Sequence, residues 1–235
     1  MLTRKFAFLA TAALALASTA AQAQNAKADA TAKPAAVAVD ADPALWVVKD
    51  DDTTVYLFGT FHLLNDKHDW FNDEVKRAFD SSQELVMEAK LPDDPASLQP
   101  LVVKYALDPS GKTLTSKLPE ATTANLHKAL TSLGAPPNAF DAFDPWFAAM
   151  TVTALKFQAL GLKADQGTET ILSKAAKAGN KPVGELEGFE YQFKMFDGIP
   201  EPQQVNYLTQ TLADLSKVEQ LMDDMLGAWS TGDAE

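Results

Sequence analysis

The sequence predicts an α/β (α+β) fold: a single domain with a small mixed central sheet flanked by helices. Three observations lead there. Val55-Tyr56-Leu57-Phe58 is an apolar run of strand length that stops at Gly59. Residues 146–160 form a long, largely apolar stretch, opened by Asp144-Pro145 and closed by Gly161, as a buried helix would be. Of the 235 residues, 46% are hydrophobic, enough for one domain with a substantial core.

The chain opens on a targeting segment. Arg4 and Lys5 precede an Ala- and Leu-rich run over 6–17, and Ala21-Gln22-Ala23 has the small-x-small form of a signal-peptidase site. Residues 1–23 are expected to be a signal peptide cleaved after Ala23, which sends the mature protein to the periplasm or outside the cell. The apolar run is shorter than the roughly 20 residues a membrane span needs, so no stable anchor is expected after cleavage. Residues 24–44 are Ala-, Lys- and Asp-rich without apolar periodicity and read as a disordered linker. The domain is expected over 45–235.

Within it, residues 45–49 and 54–58 flank Asp50-Asp51-Asp52-Thr53 and read as a β-hairpin with a solvated turn. Val75, Ala78 and Phe79 have helical spacing over 72–80. Residues 84–88 read as a second core strand ending in an acid. Short helices are expected over 101–107 and 119–133, the apolar helix over 146–160, and another over 165–178 closed by Gly179-Asn180. Residues 181–186 enter a strand that ends at Glu187. From 200 to 229, Leu208, Leu212, Leu215, Val218, Met222, Met225 and Trp229 recur at threes and fours, the stripe of one long amphipathic helix buried as core.

Formal net charge is −12 and the isoelectric point about 4.6, which argues against nucleic acid and anionic membrane surfaces as partners. The absence of cysteine excludes thiol nucleophiles, Cys zinc sites and iron–sulfur clusters. Any metal must be held by His, Asp or Glu. There is no Gly-x-Ser-x-Gly elbow, phosphate loop or dinucleotide fingerprint.

Three strands lead to polar residues: the first to His62, the second to Glu88, the third to Glu187. Strand ends of one direction gather at one edge of a sheet, where open α/β sheets bind ligands. His62 with Glu88 and Glu187 there would suit a divalent metal, or acid/base chemistry with a carboxylate orienting the imidazole. His68, in a polar loop, and His127, on a helix, read as surface residues.

Leu45-Trp46-Val47-Val48, the stretch from Val55 to His62, and Glu84-Leu85-Val86-Met87-Glu88 together resemble the opening of the TraB/GumN family. That family includes TIKI-type metalloproteases and is distantly similar to erythromycin esterases. Asp144-Pro145-Trp146-Phe147 and Leu186-Glu187-Gly188-Phe189-Glu190-Tyr191-Gln192 look like its internal motifs, in the same order. The resemblance implies that Gly59 and His62 are its Gly-x-x-His, that Glu88 closes its second strand, and that Glu187, Glu190 and Gln192 are its Leu-Glu-x-x-Glu-x-Gln stretch. Trp146 and Asp165 match positions flanking the central helices and are assigned to structure. The family also has a second Gly-x-x-His near its carboxyl end. Neither His68 nor His127 follows a glycine by three, so a shortened chain or a half-site is expected.

The functional expectation is a metal-dependent, peptidase-like hydrolase. His62 and Glu88 would be metal ligands, and Glu187 a further ligand or general base. The metal would be Mn, Co or Zn, and the substrate a peptide or small molecule. The alternative is a non-catalytic periplasmic binding or sequestering protein, or an accessory protein of polysaccharide export.

Overall fold

The computed structural model describes residues 38–234; the expected signal peptide, and the expected linker up to residue 37, lie outside the described residues. In chain order the elements are strands β1 (Val39–Asp40), β2 (Leu45–Lys49), β3 (Thr54–Phe58) and β4 (His68–Asp69), helix α1 (Asp73–Ser81), and strand β5 (Leu85–Met87). Helices α2 (Gln99–Tyr105), α3 (Leu114–Lys117), α4 (Glu120–Ser132), α5 (Pro145–Ala159) and α6 (Thr168–Ala178) follow. Strand β6 (Val183–Glu185) and helices α7 (Phe189–Asp197), α8 (Glu201–Asp214) and α9 (Val218–Ser230) complete the fold. The expected mixed α/β class holds. Its strands form three two-stranded sheets among the described residues: β1–β4 parallel, β2–β3 antiparallel and β5–β6 parallel.

The hairpin stands where expected, and Asp50 shapes its turn. The Asp50 carboxylate accepts from the backbone N–H of Thr53 at 2.7 Å and of Asp52 at 3.2 Å, an Asx-type turn. Those donors hold the exposed Asp50 carboxyl below its ordinary range. The register pairs Trp46 with Leu57 and Val48 with Val55, so these four side chains share one face, and all four are exposed.

Regular structure begins at β1, inside the stretch that composition reads as linker. Val39 N–H donates to Lys67 at 2.7 Å, β1 pairs with β4, and Ala41 is buried. Backbone pairing orders a segment that composition alone reads as unstructured. The same pairing takes His68 out of a solvated loop and makes it a half-buried strand residue, with burial first and the Lys67 charge second lowering its pKa.

The chain divides into two compact units, each built of separated segments. The first comprises Glu88–Leu160 and Leu186–Val218. In it α5 is apolar on all sides, as a helix enclosed by others must be. Trp146 stacks on Phe196 at 5.2 Å and meets Phe193 edge-on at 5.7 Å. Ala148, Ala149 and Val152 join a second cluster with Leu126, Leu130, Leu208 and Leu212. Asp144 precedes α5 as expected, but its side chain does not cap the helix; it pairs with Lys117 at 3.2 Å.

The second unit comprises residues 38–87, 161–185 and 219–234. Trp70 is its aromatic centre, stacked on Phe58 at 5.6 Å and touching Trp229 at 6.1 Å. Helix α1 has no basic residue in its last turn. Lys181 supplies that charge from across the unit, donating to the carbonyls of Phe79 at 2.7 Å and of Ser82.

Two helical expectations change. The stripe from 200 to 229 is not one helix: α8 stops at Asp214 and α9 starts at Val218, with Lys217 N–H bonded to Asp214 O at 2.8 Å. The break falls where the chain leaves one unit for the other. Leu208 and Leu212 serve the first core, while Met222 and Leu226 are buried farther along. Helix α7 was not expected at all. Its stripe of Phe189, Gln192, Phe193 and Phe196 is apolar but for one glutamine.

Candidate functional site

His62 lies in the loop that leaves β3, and that loop is clamped to the start of α6. Phe61 N–H donates to Thr168 Oγ1 at 3.0 Å and Thr168 N–H donates to Phe61 O at 2.9 Å. One turn of chain later, Leu64 and Lys163 exchange backbone bonds at 3.2 and 2.7 Å. At the other end Trp229 Nε1 donates to Gly59 O at 2.8 Å. Gly167 admits the close approach: a Cβ there would stand 2.1 Å from the His62 carbonyl oxygen.

The clamp brings His62 Nδ1 within 2.7 Å of Glu169 Oε1, with side chains 12% and 14% exposed. Glu169 sits in the first turn of α6, where the helix dipole favours a carboxylate. Burial alone would raise its pKa. The hydrogen bond and charge of His62, with help from Thr60, outweigh that and hold it below the ordinary carboxylate value. An imidazole held through Nδ1 has its tautomer and ring plane set, and ligand or proton exchange falls to Nε2.

A second prepared group lies in the first unit. Strands β5 and β6 run parallel and lead into Glu88 and Glu187, so these two do share a sheet edge. Glu187 N–H donates to Glu88 O at 2.9 Å, continuing the ladder. Gln192 Nε2 donates to Glu88 Oε1 at 2.6 Å. Strand β3 pairs with β2 among the described residues, so His62 reaches its position through the α6 clamp and not through that edge.

Other sequence candidates have structural roles. Glu190 makes an exposed pair with Lys104 at 2.7 Å and accepts from Tyr105 at 2.8 Å. Trp146 is core, as assigned, and Asp165 lies exposed in a short 3₁₀ turn (Ala164–Gln166). Glu169 escaped the sequence reading, because an acid in a first helical turn is common. The signal that could have found it is Gly167-Thr168-Glu169: a glycine for close approach, then a hydroxyl, then an acid.

The donor set of imidazole and carboxylate without thiolate suits a divalent first-row ion; His62 has a carboxylate 2.7 Å from its Nδ1, and Glu88 accepts a hydrogen bond from Gln192. Among the described residues, the group of three or more donors close enough to share an ion is Asp40, Asp42 and Asp73, all exposed.

The architecture and the clamped His–Glu pair define a mixed α/β protein with polar groups prepared in the loops that follow its strands. The chain matches the TraB/PrgY/gumN family over residues 44–235 and belongs to that family. It is similar to the "Uncharacterized protein YbaP" of Escherichia coli (strain K12), 27% identical over 187 residues, which are 80% of this chain and 68% of that protein. The protein of the same name from Shigella flexneri matches to the same extent. No solved structure matches.

Proposed function

We propose that the chain is an exported, metal-dependent, peptidase-like hydrolase with His62 and Glu88 as ligands. The observation that carries this reading is the His62 Nδ1–Glu169 pair at 2.7 Å. A histidine whose ring is held by a buried carboxylate is prepared for chemistry at its other nitrogen. Glu169 fixes the ring and its tautomer and makes Nε2 the more basic ligand atom. Glu88, its carboxylate held by Gln192, supplies oxygen. Glu187, next to Glu88 on the sheet edge, is the proposed group that accepts a proton from water. When bound, the divalent ion polarises a carbonyl and acidifies a water. The proposed setting is the periplasm or the exterior, after cleavage behind Ala23; among the described residues no helix is long and apolar enough to cross a membrane.

Melting curves with manganese, cobalt or zinc test this. A ligand that binds only the native state adds about 2.7 kcal/mol at a hundredfold excess over its dissociation constant. The wild type should gain stability with one of the metals. His62→Ala should abolish the gain and Glu88→Ala should reduce it. Equal gains in wild type and His62→Ala would assign the ion to surface acids such as Asp40, Asp42 and Asp73 and overturn the reading. No gain in the wild type would favour the non-catalytic binding or export-accessory role instead.

A further inference from the structure

The geometry points to Gln192 as a positioning residue for Glu88. The inference rests on the reading of Glu88 as a ligand, but its geometry stands independently. Residues 189, 192, 193 and 196 form the buried stripe of α7, and three of the four are phenylalanine. Gln192 is 2% exposed, so its amide is set into an apolar face where methionine or leucine would satisfy packing. Burying an amide costs free energy unless its hydrogen bonds are made. Its Nε2 is spent on the Glu88 carboxylate at 2.6 Å, a short bond to a charged acceptor.

The same segment holds Glu88 twice. Glu187 N–H bonds the Glu88 carbonyl at 2.9 Å, which sets the backbone where β5 ends. The chain then turns at Gly188, whose carbonyl accepts from Tyr191 at 3.0 Å and Gln192 at 3.3 Å, and the first turn of α7 delivers the amide. Two anchors five residues apart on one segment therefore fix both the main chain and the carboxylate of Glu88. A carboxylate left to rotate at a strand end would spread over several rotamers, and a ligand would have to order it on binding. Gln192 does that ordering in advance.

The test compares wild type with Gln192→Met, which keeps the length and helix preference of the side chain and removes the donor. Crystal structures of the two proteins should show the Glu88 carboxylate displaced or spread in the variant. An unmoved carboxylate would overturn the inference, whatever the protein does with metals. Calorimetric titration with cobalt supplies the second readout. Loss of an outer hydrogen bond should weaken binding by about 10- to 100-fold, and unchanged binding overturns the positioning role. If the wild type binds no cobalt, and no manganese or zinc in the melting curves, the hydrolase reading fails and the crystallographic comparison alone decides this inference. Should Gln192→Met not fold, Gln192→Asn, which draws the donor back by one methylene, gives the same comparison.

Discussion

Lys117→Met should cost the protein about 3–5 kcal/mol of stability, the range for stranding buried charges. The Lys117 side chain is 5% exposed and pairs with Asp108 at 2.8 Å, Glu201 at 2.9 Å and Asp144 at 3.2 Å. Burial alone would lower its pKa, but the three carboxylate bonds outweigh that and raise it above the ordinary lysine value. Removing the ammonium leaves Asp108 and Asp144 facing each other in a poorly solvated site. Glu201 is more than half exposed and contributes less. Urea unfolding measures the loss; a change under about 1 kcal/mol would mean that the carboxylates relax into water. Adding Asp108→Asn and Asp144→Asn to the variant should recover part of it.

The same cluster predicts an acid limb. The bond from Lys117, then the Ser110 N–H, hold the Asp108 carboxyl at about 2 against an ordinary 3.8. A depressed folded-state pKa contributes stability that is present above 3.8 and lost as pH falls towards 2. Asp144, raised by burial, works in the opposite sense and softens the limb. In Lys117→Met the loss between these pH values should shrink, because the bond that creates it is gone.

Gly167→Ala should be the most damaging single-methyl change near His62. The added Cβ would stand 2.1 Å from the His62 carbonyl oxygen and 2.6 Å from its carbon. Both are backbone atoms and cannot rotate away. Relief requires the loop to leave the start of α6, which breaks the two backbone N–H bonds between Phe61 and Thr168 and the His62–Glu169 pair. Breaking these contacts at about 1 kcal/mol each costs about 3 kcal/mol, the upper end of the usual overpacking range of about 1–3 kcal/mol. Thermal unfolding reads the stability, and the NMR resonance of the His62 Nδ1 proton reads the pair. A variant of wild-type stability that keeps that resonance would show that the clamp is looser than the geometry implies.

Much of the local structure is legible in the sequence because its causes are local. Apolar runs around an aspartate turn specify the β2–β3 hairpin. Asp144-Pro145 marks the start of α5, and Gly161, with φ of 84°, follows its end. The strand-end position of Glu88 follows from the apolar run Leu85-Val86-Met87, while β6 carries Glu185 and stops two residues before Glu187. The break between α8 and α9 is a different case. Neither proline nor glycine marks residues 215–217, so nothing in the periodicity divides the stripe, and its two parts serve different units.

The sequence by itself determined the mixed α/β class, the hairpin, and the histidine and glutamates that carry the family pattern, because periodicity and turn chemistry act over a few residues. Only the tertiary structure decided what those groups meet. His62 finds Glu169 107 positions later, Glu88 finds Gln192 104 later, and Lys117 gathers acids from three separate stretches of chain. Such pairings are fixed by which segments the packing brings together. A carboxylate in a first helical turn reads the same in sequence whether water or an imidazole stands opposite it.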